Sequence, residues 1–146
     1  MTRVRQASIA WSARAAMVAH TRESAPRECC GLLVGEGRRV DLAVPLSNID
    51  PKPRTGFRVD PAEHIAVRRI LRRVVPGRDI IGVYHSHPAG PARPSPRDIA
   101  ESHYPEWLYA IVGRGGRTIR VYEMRPTQPV PVPIRWRRPS AARRRR

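Results

Sequence analysis

Ten of the 16 prolines in this 146-residue chain fall into three short clusters, at 51–53, 88–96 and 126–133, and this spacing limits the fold more than any other feature. Proline fixes φ and lacks a backbone donor, so it is expelled from helix interiors and from central strands. Regular structure must therefore run between the clusters. The last cluster merges into an arginine-rich end, so residues 1–125 are expected to form the one domain, with 126–146 an extended or disordered tail. A chain of this length has room for one ordinary core.

Between the clusters the hydrophobic pattern can be read directly. Trp11 to Arg22 reads as an amphipathic helix, with Ser12 as its cap and Ala15, Ala16, Val18 and Ala19 on its apolar stripe. Glu28 to Val34 is a short apolar run, a buried strand that ends at Gly35-Glu36-Gly37, and Arg38 to Leu46 returns as its hairpin partner. Asp60-Pro61 starts a second helix, with proline at the first position and Glu63 in the first turn. Its apolar face is read as Ala62, Ile65, Ala66, Ile70 and Val74, leaving Arg68, Arg69, Arg72 and Arg73 to solvent. Asp79 to Tyr84 is the most strand-like run in the chain. Ser95 to Ser102 is a short helix capped by Ser95, with Pro96 at its first position. Trp107 to Val112 and Thr118 to Met124 add two strands joined by the turn Gly113 to Gly116. This order gives an α/β sandwich, a mixed β-sheet flanked by helices.

Composition excludes some classes and leaves others open. The adjacent pair Cys29 and Cys30 cannot build a disulfide framework, and neighbouring strand residues point to opposite faces. No run of some 18 apolar residues could span a bilayer, and the first ten residues lack the pattern of a secretion signal, so a cytoplasmic protein is expected. The net charge of +16 and a pI near 11.6 raise nucleic acid as a partner. Lys52 is the only lysine, however, and seven arginines lie in the last dozen residues. Such an arginine bias also follows from a GC-rich coding sequence.

The chemistry is concentrated where the Asp79 strand runs into Tyr84-His85-Ser86-His87-Pro88. Residues two apart in an extended segment point the same way, so His85 and His87 can present both imidazoles to one point. The proline loop turns the chain back, and Asp98 lies in the first turn of the next helix, three residues after Ser95. Two imidazoles and one carboxylate suit Zn²⁺, with a fourth position left for water, as in catalytic rather than structural sites. Glu28, a carboxylate at the start of an apolar strand, is the candidate general base. Ser95 is the candidate donor to the oxyanion.

The segment His85-Ser86-His87, then Ser95 and Asp98, resembles the JAMM (MPN+) metalloprotease family. Upstream, Pro26-Arg27-Glu28-Cys29-Cys30-Gly31-Leu32-Leu33-Val34-Gly35 is similar to it as well, and the likeness extends through Asn48 and Phe57 to Pro61 over about residues 9 to 124. It is nearest to the compact bacterial members. The resemblance implies a cytidine-deaminase-like sandwich with His85, His87 and Asp98 as zinc ligands, Glu28 as base and Ser95 as oxyanion donor. It also implies cleavage of a peptide or isopeptide bond after the Gly-Gly tail of a ubiquitin-like or sulfur-carrier protein.

Two rival readings are carried alongside. One is a basic nucleic-acid-binding or scaffold protein that uses the arginine tail and a non-catalytic zinc. The other is a zinc deaminase, which needs a Pro-Cys-x-x-Cys pair that this chain lacks. Cys29 and Cys30 read as packing residues. His20, His64 and His103 read as structural or exposed.

Overall fold

The computed structural model describes residues 5–126 and 128–140. In chain order these form β1 (Ala7–Ala10), α1 (Trp11–Ser24), β2 (Cys30–Glu36), β3 (Arg39–Leu46), α2 (Pro61–Val74), β4 (Asp79–His87) and α3 (Pro96–Ala100). They continue with β5 (Leu108–Gly113), a 3₁₀ turn (Arg114–Gly116), β6 (Thr118–Met124), β7 (Pro129–Val132) and β8 (Ile134–Arg137). The eight strands make one sheet in the order β7-β6-β5-β4-β2-β3-β1-β8. The β2–β3, β2–β4, β5–β6 and β6–β7 pairs are antiparallel, whereas β4–β5, β1–β3 and β1–β8 are parallel. The expected mixed sheet with flanking helices is the one observed.

The end of the chain departs from expectation. Residues 129–137 do not trail from a domain that closes at 125; they supply both edge strands of the sheet. Only Pro133 separates β7 from β8, although the two stand at opposite ends of the strand order, so the sheet curls until its edges approach each other. The Pro133 carbonyl accepts from Ala7 N at 2.8 Å and fastens that corner. Pro129 and Pro131 are tolerated because β7 is an edge strand, where a ladder donor can be spared. The Arg143 to Arg146 run lies outside the described residues.

Each face of the curled sheet has its own core. The concave face holds α1, whose Ala13 and Met17 pack with Val40, Tyr84, Ala110 and Val112. The helix has no side-chain cap: Ala10, not Ser12, is its N-cap residue, since β1 runs directly into it. The other face carries Leu32, Val34, Ile80, Val83 and Ile111, covered by Leu71 of α2. Here too a reading is corrected. The helix turns Val67 and Leu71 to the sheet and leaves Ile65, Ile70 and Val74 exposed. It carries two apolar stripes, and the one through Val67 and Leu71, four residues apart, is the one that meets the sheet. Asp60 caps it by accepting from Ala62 N at 2.9 Å. Among the described residues, no helix is long and apolar enough to cross a membrane.

Candidate metal centre

The β2–β4 ladder pairs Cys30 with His85, and Ser86 N donates to Cys29 O at 3.0 Å. Continued by two residues, that register sets Glu28 opposite His87. Residues directly opposite in an antiparallel pair share a face, so Glu28, Cys30, His85 and His87 all leave the sheet on one side. Both histidines belong to β4 itself, which runs three residues beyond the Asp79 to Tyr84 strand read from sequence.

Asp98 arrives from the far side of the proline loop. That loop folds back on β5: Arg114 N donates to Gly90 O at 2.9 Å, and Tyr122 Oη donates to Ala92 O at 2.7 Å. Gly113 permits the approach, since a Cβ there would stand 2.5 Å from Ala92 N. Ser95 then opens α3 with a reciprocal capping box: Asp98 N donates to Ser95 Oγ at 3.1 Å and Ser95 N to Asp98 Oδ2 at 2.8 Å. The box orients the carboxylate toward the end of β4.

Three atoms converge there. His85 Nε2 and His87 Nε2 are 3.0 Å apart, and each lies 3.2 Å from Asp98 Oδ2. Three corners of a tetrahedron around an ion with bonds of about 2.0–2.1 Å are separated by roughly 3.3 Å, so the triangle fits a cation such as Zn²⁺. The chemistry of the donors agrees. His87 Nδ1 donates to the Pro91 carbonyl at 2.9 Å, which leaves the lone pair on Nε2 facing the other two atoms. His85 is fully buried and stacks on Phe57, centroids 4.3 Å apart. Burial lowers its pKa, against the opposing pull of Asp98, and so favours the neutral ring that a metal requires. For His87, burial is outweighed by Asp98 and Pro91, and its pKa is raised. Asp98 is buried as well, but its contacts with both histidines hold it well below the carboxylate range.

Glu28 completes the cluster, with ligand atoms of Glu28, His85 and His87 all within 4.8 Å of one another. Burial raises its pKa to about 7, with His87 pulling the other way and Asp98 adding to the rise. The structure thus brings together four of the five residues read from sequence, and Ser95 adjoins them through Asp98.

Three supporting residues carry no local signal of these roles. Asn48 donates from Nδ2 to Glu28 O at 2.9 Å and to Gly56 O at 3.0 Å, while its Oδ1 accepts from Asp50 N and Arg58 N. Arg97, on α3, pairs with buried Asp50. Phe57 supplies the face on which His85 stacks. Together they tie the 48–57 loop to both sides of the site.

Two imidazoles and a carboxylate at metal-ligand spacing, with a second carboxylate held beside them, define a centre of the metallohydrolase type. By sequence, the chain belongs to the family of prokaryotic homologs of the JAB domain, matched over residues 11–127. It is 35% identical over 116 residues to the desampylase of Haloferax volcanii, covering 75% of this chain and 82% of that one. It is 41% identical over 98 residues to the probable TtuB-protein conjugate cleaving protease of Thermus thermophilus, covering 67% and 64%. With the CysO-cysteine peptidase of Mycobacterium tuberculosis it shares 38% over 101 residues, covering 66% of each. The matched region thus spans about two thirds of the last two relatives. Among solved structures, a protein from Desulfitobacterium hafniense superposes with a TM-score of 0.81 at 29% identity over 90% of this chain and 93% of that one. A JAB1/MPN domain protein from Archaeoglobus fulgidus shares the fold, with a TM-score of 0.58 at 19% identity over 87% and 97%.

Proposed function

We propose that this protein is a zinc metallopeptidase that hydrolyses the peptide or isopeptide bond after the carboxyl-terminal Gly-Gly of a ubiquitin-like or sulfur-carrier protein. The reading rests on the convergence of His85 Nε2, His87 Nε2 and Asp98 Oδ2 within 3.2 Å, with Glu28 beside them. The peptidase and protease names of the relatives support the reaction class.

His85, His87 and Asp98 hold the cation, which when bound supplies Lewis acidity that activates a water and polarises the scissile carbonyl. Glu28 takes the proton of the attacking water and returns it to the departing nitrogen. A pKa raised by burial suits both halves of that task, since the carboxylate must first accept and then release. Ser95 accepts from Asp98 N through its oxygen, so its hydroxyl proton is free to donate to the carbonyl oxygen as charge develops there.

The test uses a fusion in which a sulfur-carrier protein ending in Gly-Gly precedes a reporter. Zinc-loaded protein is expected to cut after the second glycine, and chelated protein to leave the fusion intact. Equal cutting with and without metal would remove the metallopeptidase reading, and cutting only elsewhere in the fusion would remove the substrate.

A further inference from the structure

His85 and Asp98 form the inner wall of an apolar cavity of about 340 Å³. Val59 and Met124 also line it, with Arg58 and Glu101, and so do Tyr104 and Trp107, whose rings stack with centroids 3.8 Å apart and planes 9° apart. Glu28 does not line this cavity. It opens instead on a separate polar groove, with Glu23 and Ser47 among its walls.

The two concavities can be assigned to the two sides of the scissile bond. This assignment rests on the peptidase reading given above. Glu28 must reach the departing nitrogen to deliver its proton, so the leaving group lies in the polar groove. The acyl part of the substrate then extends the other way, past His85 and Asp98, into the apolar cavity. Two glycines bring no side chain to fill it. An extended tail advances about 3.3 Å per residue, so the residue just before Gly-Gly stands roughly 7–10 Å from the bond. A cavity of about 340 Å³ has room for one large side chain at that distance. We propose that the cavity walled by Tyr104 and Trp107 is a specificity pocket for a large apolar side chain immediately upstream of the substrate's Gly-Gly.

The experiment varies that one residue among Gly, Ala, Val, Leu, Phe and Asp in otherwise identical carrier fusions. For zinc-loaded protein, kcat/KM is expected to climb by ~10–200-fold from Gly to Leu, with Asp at the bottom. Tyr104→Ala, which opens the wall, and Val59→Phe, which fills the space, should each flatten the order. A second readout avoids turnover: zinc-loaded Glu28→Gln protein is titrated with peptides ending in X-Gly-Gly while tryptophan emission is followed, and the same order should emerge. Cleavage of all fusions at equal rates overturns the pocket, as does selectivity that follows the residue after the bond. If no fusion is cut yet the peptides bind in the apolar order, the peptidase reading fails and the pocket stands. If the peptides also bind without order, both fail.

Discussion

Cys29, Tyr84 and Ser86 point from the β2–β4 ladder toward α1, whereas Cys30, His85 and His87 leave the same ladder on the opposite face. On the α1 side the polar groups are satisfied by one another. Tyr84 Oη bonds His20 Nδ1 at 2.8 Å, Ser86 Oγ accepts from Cys29 N at 2.8 Å, and Thr21 Oγ1 donates to Met17 O at 2.8 Å. Burial raises the Tyr84 and Cys29 pKa values, so both stay neutral. On the far side, two imidazole nitrogens and a carboxylate oxygen converge at metal-ligand spacing, with the largely buried Glu28 carboxylate beside them. The difference teaches how one pair of strands supports a reactive site: the face packed against α1 holds the backbone still, and the alternation of the strand aims the ligands.

If the two faces are separable in this way, substitutions on each should read out differently. The largest effect is expected from Glu28→Gln, which should lower cleavage by ~10²–10⁴-fold while metal content holds and the denaturation midpoint does not fall. Loss of zinc or of folding along with activity would show that Glu28 belongs to the scaffold. Next comes Met17→Ala on the α1 side, where Met17 is fully buried. Chemical denaturation should report a loss of about 2–5 kcal/mol, with metal stoichiometry by mass spectrometry unchanged from wild type. A drop in stoichiometry at temperatures where the variant is folded would mean that the faces are coupled.

The same alternation explains what could be read from the chain before its structure. The two histidines on one strand face and the Ser95 cap with Asp98 in the first turn are set by local rules of period and capping, and so they were legible, whereas the pairing of the Glu28 strand with the His85 strand was not. The edge strands were not. β8 pairs in parallel with β1 from the other end of the chain, and nothing within Ile134 to Arg137 announces a partner 127 residues away in register (Ala7 with Ile134). The buried stripe of α2 was misread because the helix has apolar residues on two sides, and only the sheet decides between them. The roles of Asn48, Phe57 and Arg97 escaped because their work is done across loops.

Asn48 probes the seam between the two faces, and its effect should be smaller. Asn48→Ala leaves the carbonyls of Glu28 and Gly56 without their shared donor, at a cost of about 1–3 kcal/mol. Cleavage should fall in step, because the start of β2 loses its tie to the 48–57 loop. Unchanged activity at full occupancy would place the catalytic geometry in the sheet alone.

The most narrowly confined effect is a pH dependence on the outward face. In the metal-free protein, burial raises Glu28 from its ordinary 4.5 to about 7, so the folded state holds this proton more tightly than the unfolded chain. Where the folded state binds more protons, stability falls as pH rises. Glu28 therefore favours folding below about 4.5 and ceases to do so as pH climbs to about 7. Several other groups titrate in that window, so the informative quantity is the difference between wild type and Glu28→Gln, followed by denaturation of the metal-free proteins from pH 4 to pH 8. The variant should gain on the wild type as pH rises, and the gain should level off near neutrality. A constant difference across the range would mean that Glu28 is solvated in the folded state, and a carboxylate in water at that position would be a far weaker base than the one the outward face is built to hold.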